Sequence, residues 1–363
     1  MQKMSIGSTS TFHTTNNLIP FDGALTEGTV SFGGIMMTLY KLSIASCILL
    51  SIAAVASAKI VFFSNRDSGA EVYMMDDDGS NVQRVTNNPR LDTQPRWSPN
   101  GKYIAFMRNS SPRLRQYDLF LMNADGSRQQ RLTHDPAFDG GYTSWSPDGQ
   151  HIAFSSERSG TVNIHVINIA TGNIRQLTRY KQREGVSAQE ASWSPDGKEI
   201  IYLVVGLDDE PGIPIYIMDA NGRNQRLFLK GEPGVFRREP RWSPDGEHIM
   251  YSEGTFGPRG QLISSRAVIV DRKGNEVRER ILPMGWRMSS TSWMGNKKQV
   301  LLAIESPERT FDIYLWNFTP NSPLKNLTNH PSVDFTPDWI DDATLDVSLV
   351  KKKVTLWSQL KKR

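Results

Sequence analysis

The sequence predicts an all-β fold, a six-bladed β-propeller made of four-stranded antiparallel blades. The hairpin motif Ser-Trp-Ser-Pro-Asp-Gly at 192–197 recurs, strongly or weakly, six times along the chain, and its tryptophans lie 46 to 51 residues apart. Each repeat holds four short segments rich in β-branched and aromatic residues, separated by Gly, Pro, Asn or Asp. A repeat of this length with four strands is one propeller blade.

The hairpin motif predicts a tight turn between the first two strands of each blade. Pro195 presets φ for the first corner, Asp196 suits the second, and Gly197 supplies a positive φ where the next strand begins. The apolar run after Gly197 is then a buried strand. We expect the tryptophans to be structural and to fill the layer between neighbouring blades. They are Trp97, Trp145, Trp193, Trp242, Trp293 and Trp339.

The repeat at 145–178 shows the four predicted strands in order. The first carries Trp145, the second is the apolar run 152–155, the third is 164–167, and the fourth ends at Leu177 and Thr178. In other repeats the third strand ends in an Asp-Gly or Asn-Gly turn, as at 125–126 and 221–222. Such alternation of strands and turns leaves no room for helices.

The two ends of the repeat region predict how the ring closes. The first repeat begins at a second strand near Ile60, with no first strand before it. The last tryptophan, Trp339, begins a first strand that lacks partners of its own. We therefore expect the C-terminal strand to join the N-terminal blade and complete six blades. A seventh blade that uses residues 345–360 is the alternative.

The N-terminal region predicts export. Residues 1–36 are rich in Ser, Thr, Gly and Asn, and we expect a disordered extension or a misassigned start. Residues 37–58 have a basic residue, an apolar core and Ala56-Ser57-Ala58, the pattern of a secretory signal peptide. An uncleaved anchor remains open. The propeller then spans 59–344 and a C-terminal tail spans 345–363, which predicts a periplasmic or secreted protein.

Composition narrows the partners. The formal net charge is only +4, and Lys and Arg form no long stripe, so we expect no nucleic-acid partner. The single cysteine, Cys47, lies in the apolar signal segment, so the propeller has no disulfide. We expect a monomer with no stable membrane span after signal cleavage.

The repeats resemble a known family. Trp-Ser-Pro-Asp-Gly, then Ile-Ala-Phe, then Ile-Tyr-Ile-Met-Asp-Ala-Asn-Gly and Leu-Thr are similar to the TolB-like β-propeller, a WD-repeat-like family. The resemblance covers 59–342, and it implies a six-bladed propeller in the bacterial periplasm. TolB itself has an α/β domain before its propeller and works with a peptidoglycan-associated lipoprotein. We expect this chain to lack that domain, so the resemblance supports the propeller rather than that complex.

The motifs that would indicate catalysis or bound cofactors are missing from the sequence. No Gly-x-Ser-x-Gly elbow occurs, and the histidines make no metal-ligand spacing within one element. We assign no catalytic, cofactor-binding or metal-binding residues. The sequence leaves open whether carboxylates hold a divalent cation such as calcium in the channel.

The residues three to six before each tryptophan are the least repetitive part of the unit, and they predict a ligand-binding rim at one channel mouth. Alternatively, they form a solvated rim whose carboxylates cap backbone N–H groups. We expect a non-catalytic scaffold for a protein or peptide partner in the cell envelope. The alternative is an enzyme, a lyase or hydrolase, that acts on a polysaccharide at the same mouth. The rim candidates are Asp92, Gln94, Asp139, Tyr142, Glu190, Arg238, Glu239 and Asp334.

Overall fold

The repeated motif forms the predicted turn. The backbone N–H of Gly197 donates to the carbonyl of Ser194 at 2.9 Å, and Gly197 has a φ of 72°. The Ser194 hydroxyl donates to Asp196 Oδ1 at 2.6 Å and accepts the N–H of Glu199 at 2.9 Å. The Asp side chain and the Ser hydroxyl therefore close this hairpin locally, and the same bond joins Ser146 to Asp148 and Ser243 to Asp245 in two other repeats.

The computed structural model describes residues 58–341, except for 68, 112–115, 182–184, 208–210, 296–297 and 320–321, together with residue 344. Within these residues, 24 strands form six four-stranded antiparallel sheets. The segments predicted as an extension (1–36), most of the signal peptide (37–58) and the C-terminal tail (345–363) lie outside the described residues.

The blades follow one another along the chain. Blade one consists of β24 (Asp334–Trp339), β1 (Ala58–Ser64), β2 (Glu71–Asp76) and β3 (Gln83–Arg84). Blade two consists of β4 (Asp92–Trp97), β5 (Tyr103–Ser111), β6 (Gln116–Asn123) and β7 (Gln130–Arg131). Blade three consists of β8 (Asp139–Trp145), β9 (His151–Ser156), β10 (Asn163–Asn168) and β11 (Ile174–Gln176). Blade four consists of β12 (Ser187–Trp193), β13 (Glu199–Val205), β14 (Ile215–Asp219) and β15 (Arg226–Leu229). Blade five consists of β16 (Val235–Trp242), β17 (His248–Phe256), β18 (Leu262–Asp271) and β19 (Glu276–Ile281). Blade six consists of β20 (Arg287–Trp293), β21 (Gln299–Ser306), β22 (Arg309–Asn317) and β23 (Lys325–Asn326).

The hydrophobic core is divided into six clusters, each between two neighbouring blades. Between blades three and four, Ile164 and Val166 pack with Ile200 and Tyr202, all at most 3% exposed. A single sheet cannot bury both of its faces, so stacking in a ring supplies the cover. Each cluster includes one of the repeated tryptophans: Trp97, Trp145, Trp193, Trp242, Trp293 and Trp339.

The C-terminal strand closes the ring. Strand β24 pairs antiparallel with β1, with Ile60 opposite Trp339 and Ser64 opposite Asp334. The predicted fold class, a propeller of six four-stranded antiparallel blades, is confirmed, and so is its closure by a C-terminal strand. Among the residues that the structure describes, no helix has the length and apolarity needed to cross a bilayer.

Candidate functional site at the centre of the ring

The first strand of every blade lies on the inside of the ring. These inner strands are β4, β8, β12, β16, β20 and β24, and each contacts the inner strand of the next blade. Their side chains therefore come from residues far apart in the sequence. Blades two and five are three positions apart in a ring of six, so their inner strands stand on opposite sides of the central axis.

A bulge interrupts the inner strands three residues before the tryptophan. The residue at this position has a positive φ in five strands, from 24° at Tyr142 to 56° at Glu190, and the register of pairing shifts at the same place. An L-residue in this conformation costs about 1–2 kcal/mol, and a bulge redirects its side chain. We call these positions the bulge layer: Gln94, Tyr142, Glu190, Glu239, Ser290 and Thr336.

Side chains of the bulge layer hold the neighbouring blade. Glu190 Oε2 accepts the backbone N–H of Glu239 at 2.6 Å, and Glu239 Oε2 accepts the backbone N–H of Thr291 at 3.0 Å. The Ser290 hydroxyl accepts the N–H of Thr336 at 3.1 Å. In each case the acceptor lies on one blade and the N–H lies on the next, so these side chains join neighbouring inner strands. Two of the predicted rim carboxylates thus cap backbone N–H groups.

Three arginines lie beside these carboxylates. Arg96 is 3% exposed, and its Nη2 lies 3.5 Å from Glu239 Oε1. Arg238 is half exposed, and its Nη1 lies 3.5 Å from Glu190 Oε1. Arg241 interacts electrostatically with Glu239, but its Nη2 is buried without a hydrogen-bond partner.

An acidic residue from a fourth blade completes the group. Asp338 Oδ2 accepts the backbone N–H of Trp97 at 2.7 Å, and its Oδ1 accepts the Ser292 hydroxyl at 3.3 Å. We call the three acids and three arginines the central cluster. Its members are Arg96, Glu190, Arg238, Glu239, Arg241 and Asp338.

Burial shifts the titration of the central cluster. It raises the pKa of Glu190 to about 7, although the Arg238 charge opposes the shift. Burial also raises the pKa of Glu239 and of Asp338, with Arg96 opposing in both cases. Burial, and then the nearby charge of Arg96, lower the pKa of Arg241 to about 10. Arg238, whose pKa is raised, and Arg241 therefore keep their charge at neutral pH, while Glu190 titrates close to neutral pH.

Tyr142 and Gln94 are the uncharged rim candidates that reach the same region. Tyr142 is 6% exposed, its ring lies 5.9 Å from the Arg96 guanidinium carbon, and burial raises the pKa of its hydroxyl. Gln94 is half-buried, and its Oε1 has no hydrogen-bond partner.

The other three predicted rim residues lie elsewhere. Asp92, Asp139 and Asp334 are fully buried at the first residues of their inner strands. Each pairs with an arginine near the end of the neighbouring strand, as Asp139 does with Arg158 at 2.7 Å. The equivalent pairs are Asp92 with Arg108 and Asp334 with Arg66. These carboxylates act as structural latches within their blades rather than as members of the central cluster.

The sequence also held a signal for the residues that were missed. Arg96, Arg241 and Asp338 each stand immediately before a repeated tryptophan, where the other three repeats have serine. Side chains two residues apart in a strand share a face, so this position belongs with the bulge layer. Three charged residues at a position otherwise occupied by serine were the available indication.

The residues present do not fit a divalent cation. Within the described part of the chain, no group of three or more His, Cys, Asp or Glu side chains is placed to hold a metal ion. In the central cluster, Glu190 and Glu239 each hold a backbone N–H, and arginines stand among them. This donor set suits an anion better than a cation.

Comparison with known proteins supports the same fold. Residues 110–267 match the family model described as the TolB beta propeller domain. A TolB homologue from Chlorobaculum tepidum is 39% identical over 64 residues, which are 18% of this chain and 15% of that protein. TolB from Acinetobacter baumannii is similar in structure, with a TM-score of 0.63 and 21% identity over 78% of this chain and 66% of that one.

A more distant structural neighbour is an oligogalacturonate lyase in complex with manganese, with a TM-score of 0.50 and 12% identity over 72% of this chain and 71% of that one. At such identities a structural likeness establishes the fold alone. The matched segments cover 11–15% of the length of the curated TolB relatives. The expectation that an N-terminal α/β domain is missing concerns residues outside the described part. The repeats, the family match and the ring of six blades together show that this chain carries a TolB-like β-propeller.

Proposed function

We propose that the protein is an exported, non-catalytic propeller that binds a protein or peptide partner in the cell envelope. The likeness to proteins of the Tol-Pal system supports an envelope role. The pattern of residues 37–58 supports export. The observation that carries the proposal is the distribution of exposed apolar side chains.

Most exposed large apolar side chains lie at one end of the blades. Because the strands of a blade alternate in direction, the first and third strands begin at the face where the second and fourth end. We call this the inner-strand face. It carries Leu91, Phe138, Phe236, Ile263, Ile281 and Met284, whereas the opposite face carries Val82, Leu227 and Val277.

Blades five and six hold the densest part of this surface. Met284 is 90% exposed and Ile281 is 59% exposed, and both precede the inner strand β20. Phe236 is the second residue of the neighbouring inner strand, and its ring packs edge-to-face on Phe256 with the centroids 5.2 Å apart. Arg238 is half exposed two residues further along. Exposed Met and aromatic side chains beside an arginine are typical of protein-binding surfaces.

An affinity capture from envelope extract tests this function. The bait is the full chain with a C-terminal tag, compared with the double variant Phe236→Ser, Met284→Ser. A matched control, Leu227→Ser with Val277→Ser, removes exposed apolar side chains from the opposite face. We expect one stoichiometric protein partner with the wild type and the control, and its loss with the first variant. Equal capture by all three would contradict the proposal.

Export is tested separately by cell fractionation. The full chain should appear in the periplasmic or secreted fraction, and deletion of residues 37–58 should retain it in the cytoplasm. If both forms stay in the cytoplasm, the assignment to the envelope is wrong, whatever the protein binds.

One observation favours an enzyme at the same place. The pKa of Glu190, which burial raises to about 7, suits a general base, and Tyr142 and Arg238 interact with it electrostatically. This arrangement would suit proton abstraction from an acidic polysaccharide. Incubation with a panel of polyuronates, followed by ultraviolet detection of unsaturated products, separates the functions. Cleavage by the wild type that Glu190→Gln abolishes would replace the scaffold proposal.

A further inference from the structure

Several buried polar atoms of the inner strands have no partner. They include Arg96 Nε and Arg241 Nη2, which are donors, and the hydroxyl oxygens of Thr291 and Thr336. Arg96, Thr291 and Thr336 are at most 3% exposed. Buried polar groups are nearly always hydrogen-bonded, and an unpaired one costs about 1–3 kcal/mol. These two arginine donors and two hydroxyls, on four different inner strands, point to a bound anion as their partner.

The bonds that Arg96 does make are long. Its Nη1 lies 3.2 Å from the Pro337 carbonyl and 3.4 Å from the Thr336 carbonyl, and its Nη2 lies 3.5 Å from Glu239. A well-placed charged bond of this kind is about 2.7–2.9 Å long. Arg241 forms no ion pair within the part of the chain that the structure describes. Both guanidinium groups therefore have donors to spare.

The neighbouring carboxylates are already engaged. Glu190, Glu239 and Asp338 each accept a backbone N–H from the next blade, at 2.6, 3.0 and 2.7 Å. Turning any of them fully toward an arginine would leave that N–H unsatisfied. The acids of the central cluster therefore hold the ring together and leave the two arginines incompletely paired.

The two arginines face each other across the axis. Arg96 belongs to blade two and Arg241 to blade five, at the equivalent position before the tryptophan. The charge of Arg96 also lowers the pKa of Arg241, second only to burial, which indicates that the two cations are close. An anion between them would relieve the repulsion and use the spare donors. A planar carboxylate matches the fork of a guanidinium.

We propose that Arg96 and Arg241 form a clamp on the axis that binds a carboxylate of a peptide, with the hydroxyls of Thr291 and Thr336 as further donors. The inference rests on the proposed function and defines its partner as an acidic peptide. The carboxylate belongs either to an acidic side chain or to a C-terminus. The exposed Arg238 at the inner-strand face attracts the same charge as the peptide approaches.

Calorimetric titration of the full chain with synthetic probes tests the clamp. One probe is a Gly/Ser peptide with a single central Glu and an amidated C-terminus. A second has Gln instead of Glu and a free C-terminal carboxylate, and a third has both Gln and the amide. Sodium acetate and inorganic phosphate serve as free anions.

The variant Arg241→Gln removes a cation that the structure leaves unpaired, so we expect it to fold with an unchanged or higher melting temperature. Affinity for the carboxylate peptide should fall at least about ten-fold. Arg241→Lys, which keeps the charge but not the fork, should recover only part of it. Arg223→Gln is the matched control, because it removes an exposed arginine on the opposite face.

The probes separate the sources. Binding of the Glu peptide alone identifies a side-chain carboxylate, and binding of the free C-terminus alone identifies a terminal one. Binding of acetate or phosphate without either peptide means an adventitious ion only, and it overturns the inference. So does equal binding by wild type and Arg241→Gln. If the envelope partner depends on Phe236 and Met284 but not on Arg241, the proposed function stands and the clamp is wrong.

Discussion

Glu190 accepts the backbone N–H of Glu239 at 2.6 Å, so a buried acidic side chain joins the inner strands of two neighbouring blades. The same group is in a poor position to carry charge, because burial raises its pKa from 4.5 to about 7. The protonation of Glu190 therefore bears directly on a hydrogen bond that joins two neighbouring blades.

The titration of Glu190 predicts a pH-dependent stability. A raised pKa in the folded state means that the fold binds this proton more tightly than the unfolded chain does. The contribution of the protonated Glu190 side chain to the free energy of unfolding is fully present below pH 4.5. It is lost as the pH rises through 7, a decrease of about 3 kcal/mol. The Gln variant cannot ionise at this position. We therefore expect its free energy of unfolding, measured in urea, to rise relative to that of the wild type as the pH increases over this range.

Glu247→Gln is the control for that measurement, since Glu247 is exposed in the turn after Asp245. Its free energy of unfolding should follow the wild type at every pH. A constant difference between wild type and Glu190→Gln from pH 4.5 to 8 would show that folding does not raise the pKa of Glu190.

The closing strand depends on Asp338. Its carboxylate accepts the backbone N–H of Trp97 at 2.7 Å and thereby ties β24 to β4. Asp338→Ala leaves this N–H unsatisfied and should lower the free energy of unfolding by about 1–3 kcal/mol. Asp338→Asn keeps an oxygen acceptor and should cost clearly less. Urea unfolding at pH 7 measures both, and equal losses would contradict the assigned role.

The turn at Gly79 packs against the preceding blade. Gly79 has a φ of 92°, and a Cβ there would lie 2.4 Å from the carbonyl oxygen of Leu327 in blade six. Gly160 has a similar φ of 95°, but a Cβ added there would have no neighbouring atom within 4 Å. Alanine at either site meets the positive-φ penalty of about 1–2 kcal/mol. Gly79→Ala should lose roughly 1–3 kcal/mol more than Gly160→Ala in urea unfolding, because backbone must move.

The repeated tryptophans are not equivalent. Trp145 Nε1 donates to the Arg96 carbonyl at 3.2 Å, whereas Trp97 Nε1 has no partner, and the two side chains are 8% and 6% exposed. Phenylalanine at either site leaves a similar gap in an inter-blade cluster. Trp145→Phe also breaks a hydrogen bond. Its free energy of unfolding, obtained from thermal melting, should therefore fall by about 0.5–1.5 kcal/mol more than that of Trp97→Phe. An equal loss in both variants would mean that this bond adds nothing.

The fold could be predicted because its determinants are local and repeated. Ser194, Asp196 and Gly197 close a hairpin within six residues, and the same chemistry recurs at fixed spacing. The count of repeats then gives the number of blades. The unpaired second strand at Ile60 and the unpartnered first strand at Trp339 give the closure, which the pairing of β1 with β24 confirms.

The candidate site could be predicted only in part. Variation before the tryptophans indicated Tyr142, Glu190, Arg238 and Glu239, which do lie at or near the central cluster. The same criterion also selected Asp92, Asp139 and Asp334, because ion-pair latches occupy variable positions too. Sequence variation does not distinguish a carboxylate that holds its own blade from one that faces the axis.

The class of fold, the number of blades and the way the ring closes follow from the sequence alone, because turn chemistry and strand patterning act over a few residues. Which side chains meet at the axis depends on the folded ring. Arg96 and Glu239 are 143 positions apart and belong to opposite blades. Their proximity follows from the curvature of the closed ring and from bulges that redirect side chains, and neither leaves a local mark in the sequence.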